Sequence, residues 1–257
     1  MSDAAASFAG EMTYIFHQHE SRNGLCGIDR LTIRQAYEVQ ENFLASRIRE
    51  GARIVGWKVG CTSAAIRRQF GLSQPICGRL LEPDVFADGV RLPISRFVDC
   101  AVEPELVFRM GADLTGDEDS SQLRGSIAAV TAGIELHNYR FWLGRPTSQE
   151  LIASNGIHAG LVIGQQRPLA RDWDMDSEEV SISVNGKTRA SGRCSEIMGG
   201  PLLSLQWLAK HASSVGQPVR AGQWVIPGSA VELVRVHAGD EVEARFATLG
   251  SCFMRLI

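Results

Sequence analysis

The sequence predicts an α+β protein with a small N-terminal helical part and a larger body of mixed sheet, much of it antiparallel or rolled. Strand-like segments dominate after about residue 75, and helices interrupt them too irregularly for a regular βαβ alternation. The chain has 257 residues, 44% of them hydrophobic, which is enough for one substantial core. We therefore expect a helical or mixed segment over residues 1–75 and a sheet-based body over residues 76–257.

The first predicted elements follow from hydrophobic periodicity and capping signals. Apolar residues recur at helical spacing over 31–50, and Thr32 with Gln35 fits a capping box that opens this helix. The segment IVGWKVG, residues 54–60, alternates as a strand does, which puts Lys58 near a strand end. A short helix closed by glycine is predicted next, over 63–71.

Later elements are bounded by turn and capping residues. Asn185-Gly186 lies between two alternating segments and is typical of a tight hairpin turn. Pro201 and Gly216 bracket a helical segment at its first turn and its end. The other predicted elements are strands at 101–109, 133–139, 159–164, 224–226, 241–246 and 252–256, and helices at about 120–132 and from Thr147.

Composition and charge exclude several classes of partner. Lys and Arg number 26 against 29 Asp and Glu, a formal net charge of -3, so no broad basic field favours nucleic acid or an anionic membrane. The six cysteines form no CxxC pair, so neither a thiolate zinc site nor a redox dithiol is indicated. The chain starts without a basic, then apolar, leader pattern, and no apolar run approaches the length of a membrane span. We expect a cytoplasmic protein that binds a small molecule.

Two carboxylates stand one residue apart in the apolar segment VEPELVF, residues 102–108. Strand alternation puts Glu103 and Glu105 on the same face, and Pro104 between them suggests a sheet edge or a bulge. Placing two partly desolvated negative charges next to each other costs roughly several kcal/mol, or forces one group to take up a proton. A hard cation such as Mg²⁺ or Mn²⁺ removes that cost and keeps positions for water or substrate.

A third ligand is available from GIELHNYRF, residues 133–141, where Glu135 lies in another predicted apolar strand. The competing interpretation is that Glu103 and Glu105 line the solvent face of an edge strand while Glu135 pairs with a base such as Arg140. Spacing does not decide between the two interpretations. His137 and His158 are interpreted as core histidines or as supports of a ligand rather than as ligands themselves.

Several motifs, in order, resemble the 2-keto-4-pentenoate hydratases and 4-oxalocrotonate decarboxylases of the fumarylacetoacetate hydrolase superfamily. The resemblance extends from about residue 30 to the end of the chain. It rests on GWKVGCTS (56–63), VEPELVF (102–108), GIELHNYRF (133–141), SNGIHAGLVIG (154–164), SGRCSEIMGGPLLSLQWLAK (191–210) and AGQWVIPGSA (221–230).

The resemblance implies a mixed β-roll catalytic domain, a bound Mg²⁺ or Mn²⁺ and a homo-oligomer. It matches Glu103, Glu105 and Glu135 to the metal ligands and Lys58 to the family's lysine. That lysine is expected to handle a proton or stabilise an enolate, with a pKa lowered by its surroundings. The resemblance also implies that Gly228 and Ser229 orient the substrate carboxylate.

Two departures from the family pattern affect the substrate side of the site. Asn155-Gly156-Ile157 lacks a hydroxyl that some members carry there, and the extra active-site acid could be either Glu82 or Asp84. Both departures concern the substrate and the activation of water more than the metal.

The function implied is that of a metal-dependent lyase, a hydratase in the catabolism of aromatic-ring cleavage products. It would add water to a 2-hydroxy-2,4-dienoate, such as the enol of 2-keto-4-pentenoate, chelated through its 2-oxo acid group. Three alternatives stay open: a decarboxylase of an unsaturated 2-oxo diacid, an acylpyruvate-type C–C hydrolase, and a catalytically silent assembly partner. A diacid would need a further cationic contact, for which Arg79, Arg140, Arg145 and Arg193 are candidates.

Overall fold

The computed structural model describes residues 3–257, with side chains from residue 7 onward. Within this range the chain forms six α-helices and fourteen strands. The helices are α1 (Asp3–Gln18), α2 (Ile33–Arg49), α3 (Ala64–Gln69), α4 (Ser120–Gly125), α5 (Ser148–Ala153) and α6 (Pro201–Ser214). The strands of the first half are β1 (Ile54–Gly60), β2 (Ile76–Leu81), β3 (Val85–Ala87), β4 (Val90–Leu92), β5 (Cys100–Met110) and β6 (Ile127–Asn138). Those of the second half are β7 (His158–Ile163), β8 (Arg167–Pro168), β9 (Glu179–Val184), β10 (Lys187–Arg193), β11 (Trp224–Ile226), β12 (Val234–Arg235), β13 (Glu241–Phe246) and β14 (Gly250–Leu256).

The strands form two mixed sheets. The larger has the order β2-β1-β11-β5-β6-β7-β3, with β12 also pairing with β5 and β8 with β6. The smaller has the order β10-β9-β13-β14-β4. The long antiparallel pair β5–β6 is the centre of the larger sheet and runs from Cys100 opposite Asn138 to Met110 opposite Ile127.

One apolar core contains buried side chains from both sheets and from α6. Val102, Leu106 and Phe108 enter it from one face of β5, and Ile182 and Phe246 enter it from the smaller sheet. Alternation along β5 therefore turns Glu103 and Glu105 to the opposite face, as predicted. A second apolar cluster joins α1 and α2 to Leu81 and to the segment that follows β6.

The predicted α+β class with mixed sheet is confirmed, as are most elements. The capping box at the start of α2 is present, because the Thr32 and Gln35 side chains each bond to the other's backbone. The hairpin turn at Asn185-Gly186 joins β9 to β10, and both turn residues have positive φ, 52° and 72°. The predicted helix from Thr147 begins with that residue as its cap.

One prediction about the central strands is wrong. The helix expected over 120–132 ends at Gly125, and β6 begins at Ile127, because pairing with β5 outweighs the helix preference of its alanines. Pro104, expected at a sheet edge or a bulge, lies inside the sheet, because β5 is between β6 and the pair β11 and β12, but at a point where one side of the ladder is interrupted. Strand β11 pairs near Phe108 and β12 near Val102, so Pro104 falls in the interval between them.

The division between residues 1–75 and 76–257 stays a prediction; Met1 and Ser2 lie outside the described residues. Strand β1, which precedes the boundary, is hydrogen-bonded to β2 and β11 in the larger sheet. Helix α1 was not predicted. Among the helices of residues 3–257, none combines the length and apolarity needed to cross a membrane.

Candidate functional site

Strand register brings two glutamates face to face in the centre of the larger sheet. Glu103 of β5 is directly opposite Glu135 of β6, and Glu105 is opposite Gly133. Directly opposed side chains of an antiparallel pair lie on the same face, and like charges placed so are destabilising. The three predicted glutamates are therefore brought to one place, with Glu105 and Glu135 each only 1% exposed.

Glu105 is held by one oxygen and left free at the other. Its Oε2 accepts a hydrogen bond from the backbone N–H of Gly228 at 3.2 Å. Its Oε1 is buried and finds no hydrogen-bond partner within residues 3–257. Burial, and then the charges of Glu135 and Glu103, raise the pKa of Glu105 well above its ordinary value.

Lys58 and two histidines surround Glu135. The Lys58 Nζ lies 2.6 Å from Glu135 Oε1, and His158 Nδ1 lies 2.7 Å from the same oxygen. On the other oxygen, His137 Nε2 lies 3.4 Å from Oε2 and also 3.2 Å from Glu103 Oε2. All three cationic or ionisable neighbours have buried side chains, so the cluster is largely shielded from solvent.

The charges of the cluster set opposing pKa shifts. Burial opposes ionisation of Glu135, but His137 and Lys58 hold its pKa well below the ordinary value. Burial also acts to lower the pKa of Lys58, yet the charges of Glu135, Glu103 and Glu105 together raise it. The lowered lysine pKa is expected beside a bound metal ion and stays a prediction. Without a metal ion, the three carboxylates outweigh desolvation. His137 behaves in the same way: burial is overcome chiefly by Glu135, which raises its pKa to about 9.

These residues fit a divalent cation. Ligand atoms of Glu103, Glu135 and His137 all lie within 4.8 Å of one another, and the orphan oxygen of Glu105 belongs to the neighbouring carboxylate on the same strand face. Carboxylate oxygens are the ligands that Mg²⁺ and Mn²⁺ prefer, and a cation would relieve the repulsion between the opposed glutamates. The donor set is mainly oxygen with one nitrogen nearby.

Gly228 and Ser229, which are predicted to contact substrate, make different contacts in the structure. Gly228 has φ 114°, and a Cβ at this position would lie 2.5 Å from the Thr62 side chain, so a glycine is needed there. Its N–H holds Glu105 as described. The Ser229 hydroxyl accepts a hydrogen bond from Val231 N at 3.2 Å within the same turn. The structure thus ties Gly228 to the glutamates, whereas it shows Ser229 within its own turn.

A buried left-handed turn covers Lys58. Asn155, Gly156 and Ile157 all have positive φ, between 55° and 66°, which is rare for a β-branched residue such as Ile157. The Gly156 carbonyl oxygen accepts from Lys58 Nζ at 3.5 Å, and a Cβ on Gly156 would lie 3.2 Å from that nitrogen. The site where the sequence departs from the family pattern is therefore in contact with the lysine.

The other residues singled out from the sequence are held by other partners. Glu82 is exposed and pairs with Arg53, while Asp84 is buried and pairs with Arg96. The arginines considered for a diacid are also engaged: Arg79 lies over the Trp57 ring, Arg140 pairs with Asp99, Arg145 lies over Phe70 and Arg193 pairs with Glu179.

The two histidines contact the glutamates, in agreement with the interpretation of them as supports of a ligand. His137 follows Glu135 by two residues, so alternation already places both side chains on one face of the strand. His158 is brought in by β7, whose pairing with β6 puts it opposite His137. The first contact had a signal in the sequence, and the second depends on sheet pairing.

Comparisons with known proteins agree with the fold. The profile of the fumarylacetoacetate (FAA) hydrolase C-terminal family matches residues 83–257. The chain is 30% identical over 228 residues to a 4-oxalocrotonate decarboxylase from Pseudomonas sp., covering 88% of each chain. It is also 30% identical over 217 residues to a 2-keto-4-pentenoate hydratase from Paraburkholderia phymatum, covering 84% of this chain and 83% of the relative.

A solved structure shares the whole fold. It is 4-oxalocrotonate decarboxylase from Pseudomonas putida G7, complexed with magnesium and adipate, with a TM-score of 0.94 and 24% identity. The likeness covers 99% of this chain and 98% of that chain. With the family profile matching most of the chain, and with relatives that are hydratases and a decarboxylase, the chain belongs to the fumarylacetoacetate hydrolase family.

Proposed function

We propose that this protein is a divalent-metal-dependent hydratase, a carbon–oxygen lyase that adds water to a 2-hydroxy-2,4-dienoate. The observation that carries the proposal is the opposition of Glu103 and Glu135 across β5–β6, with Glu105 beside them carrying a buried, unpartnered oxygen in the described part of the chain. Such a cluster is costly without a cation, and functional sites are where such costs are found. The named hydratase relative acts in the same chemical class.

The proposed ligands are Glu103, Glu105 and Glu135, and the proposed ion is Mg²⁺ or Mn²⁺. When bound, such an ion supplies Lewis-acid stabilisation of negative charge on a 2-oxo acid chelated through its carboxylate and ketone oxygens. Gly228 fixes the direction of Glu105 through its N–H. We propose Gly228 and Ser229 as the edge of the substrate site, because their turn directly follows β11 next to the glutamates.

Lys58 is the proposed catalytic residue. Its Nζ lies against Glu135 and beneath the Gly156 carbonyl, so it is held in one position with little exposure to solvent. With its pKa raised, Lys58 keeps its proton at neutral pH. It can therefore donate a hydrogen bond or a proton to the enolate oxygen of the substrate, while water adds across the carbon–carbon double bond.

Decarboxylation is the second candidate, because a 4-oxalocrotonate decarboxylase is 30% identical over 88% of this chain. In that reaction the bond to the departing carboxylate breaks, and its electron pair enters the same conjugated 2-oxo system. The two reactions thus share the need for an electron sink at the 2-oxo acid. They differ in that decarboxylation requires a second carboxylate, which leaves as CO₂, whereas hydration does not.

The test is to incubate the purified protein with Mn²⁺ or Mg²⁺ and a panel of mono- and dicarboxylic 2-hydroxy-dienoates and acylpyruvates. Dienol absorbance, CO₂ release and product masses are followed together. Gain of water without CO₂ supports the hydratase, and CO₂ release from a diacid supports the decarboxylase. Cleavage of an acylpyruvate selects the hydrolase, and no turnover across the panel supports an assembly partner.

Two variants separate the site from the rest of the fold. Glu135→Gln should abolish turnover and weaken metal binding, whereas Glu179→Gln, an exposed strand glutamate paired with Arg193, should change neither. Turnover that survives Glu135→Gln at full metal affinity contradicts the site. The cytoplasmic location and the homo-oligomer expected from the sequence stay predictions.

A further inference from the structure

We propose that His137 Nε2 is a direct ligand of the divalent cation, so that the centre is a mixed nitrogen and oxygen site rather than one built of carboxylates alone. The inference rests on the proposed function, because it concerns the same cation. It adds a ligand that the sequence interpretation took for a core histidine or a support of a ligand, and it has a consequence for which metal the site selects.

Strand geometry puts the imidazole where a ligand must be. His137 and Glu135 are two residues apart on β6 and share its face. Across the ladder, Glu135 is opposite Glu103 while His137 is opposite Ala101, whose methyl group leaves room beside the ring. The imidazole therefore lies diagonally from Glu103, within reach of both carboxylates.

The distances match those between neighbouring ligands of one ion. His137 Nε2 is 3.2 Å from Glu103 Oε2 and 3.4 Å from Glu135 Oε2. Two ligand atoms that are each about 2.1 Å from a cation and 90° apart lie about 3.0 Å from each other. The observed spacings are slightly wider than that value, and a small movement of the side chains, with release of the proton from Nε2 to solvent, would close them on a shared ion.

Hydrogen bonding alone does not account for the position of the ring, although its Nε2 lies within ion-pair distance of both glutamates. His137 is 3% exposed, and within residues 3–257 neither of its nitrogens makes a hydrogen bond of acceptable geometry, although carboxylate oxygens are close. Buried polar atoms without a partner are uncommon and costly. His158 shows the contrast, because its Nδ1 makes a short contact of 2.7 Å with Glu135 Oε1 that does qualify. The nitrogen and the two oxygens are nevertheless close enough to one another to share one ion.

A nitrogen ligand changes metal preference. Imidazole suits ions such as Zn²⁺, Fe²⁺ and Ni²⁺, whereas Mg²⁺ favours oxygen and water; Mn²⁺ also favours oxygen but stands at the start of the first-row series, whose ions accept nitrogen ligands. We expect Mn²⁺ to bind more tightly than Mg²⁺ and the difference to depend on His137.

The direct test is pulsed electron paramagnetic resonance of the Mn²⁺-loaded full-length protein. A directly bound imidazole gives a nitrogen coupling, which should change when histidine is supplied as the ¹⁵N isotope, without any substitution. The coupling should vanish in His137→Val and in His137→Gln and persist in His158→Gln. A spectrum without nitrogen coupling, or one lost only in the His158 variant, would overturn the inference.

Metal affinity is a second readout. The direction in which it changes on substitution of His137 distinguishes a metal ligand from a cation that is only paired with the glutamates. If His137 is a ligand, His137→Val should raise the Mn²⁺ dissociation constant by roughly tenfold or more, since even residues that support a ligand contribute about 10- to 100-fold. The Mg²⁺ constant should rise less. If the ring is only a cation paired with the glutamates, its removal should lower both constants, and that result overturns the inference.

Failure of this inference is distinguishable from failure of the proposed function. Mn²⁺ binding that needs Glu103 and Glu135 but shows no nitrogen coupling leaves the proposed function standing and removes His137 from the ligand set. Mn²⁺ binding that is unchanged in Glu103→Gln and Glu135→Gln removes the metal site of the proposed function, and the inference with it.

Discussion

Glu105 is the residue whose surroundings most oppose a negative charge. Burial and its two glutamate neighbours raise its pKa, so the cation-free protein disfavours its charged form. Glu105→Gln should therefore leave the cation-free protein as stable as before or more stable. It should also remove most of the stabilisation that Mn²⁺ provides, which for an intact site is about 2.7 kcal/mol at 100 times the dissociation constant.

Thermal unfolding with and without Mn²⁺ checks this prediction. For a domain of this size, 1 kcal/mol corresponds to roughly 2–4 °C in Tm, so the intact protein should gain several degrees and the variant almost none. Glu179→Gln serves as the control and should keep the full gain. An equal gain in Glu105→Gln would exclude Glu105 as a ligand.

Substitution of Lys58 should lower turnover without lowering metal affinity. Lys58→Met removes the proton donor but keeps the length and packing of the side chain beneath Gly156. Turnover should fall by about 10²- to 10⁴-fold, the range typical of a positioned acid or base. The Mn²⁺ affinity should hold or increase, because a positive charge 2.6 Å from Glu135 Oε1 is lost. Steady-state kinetics and a metal titration on the same preparation measure the two effects. A parallel loss of turnover and Mn²⁺ affinity would mean that Lys58 maintains the structure of the site and is not a catalytic residue.

The cysteines should differ sharply in their reactivity. Cys26 is exposed, whereas burial raises the pKa of Cys61 to about 11 and that of Cys77 to about 12. Only the thiolate is alkylated rapidly, so a raised pKa keeps the thiol form and slows the reaction at neutral pH. At pH 8 iodoacetamide should label Cys26 first in the folded protein, as read by peptide mass spectrometry. Fast labelling of Cys77 in native protein would contradict the burial seen here.

Among the structural elements, the turn 155–157 connects the edge of the sheet to the site. The Asn155 side chain accepts a hydrogen bond from Arg79 N at 2.7 Å and donates one to Arg79 O at 2.9 Å. Its amide therefore makes the two backbone hydrogen bonds that a neighbouring strand would otherwise make with β2. A Cβ on Gly78 would lie 2.5 Å from the same amide oxygen, which shows how closely the two segments pack. The same turn places the Gly156 carbonyl over Lys58.

Asn155→Ala should destabilise the protein by about 2–5 kcal/mol, because two buried backbone groups lose their partners and the new residue keeps a positive φ of 57°. Denaturant unfolding measures the change. Asn42→Ala, on α2 and bonded only to the Glu38 carbonyl of its own helix, is the matched control and should cost far less. Equal losses in the two variants would mean that Asn155 does not secure the edge of β2.

At the scale of the whole molecule, the candidate site joins parts of the chain that are far apart in sequence. Strand β1 supplies Lys58 and lies between β2 and β11, while β5 and β6 supply the glutamates. A chain of residues 76–257 would lack β1, which would leave β2 without its partner strand and β11 paired with β5 alone. We expect this fragment to be unfolded or aggregated by circular dichroism, with the intact chain as control. A folded, soluble fragment would instead support the predicted division as one between independent domains.

Local signals predicted much of the fold. The capping box of α2, the alternation of β1 and the Asn185-Gly186 turn are each decided by neighbours in sequence, and each is found. The helix predicted over 120–132 is wrong because the alanines of β6 obey the pairing with β5, a contact that no local window contains. Helix α1 is stabilised by packing on α2 and was missed for the same reason.

The sequence by itself determined the acidic residues, the lysine and the face of each strand on which they lie, because alternation follows from the period of a β-strand. Only the tertiary structure decided that Glu103 is opposite Glu135, that Gly228 holds Glu105, and that His137 and His158 join them. These facts depend on strand register and on loops between distant strands, where a shift of one residue would turn the glutamates away from one another.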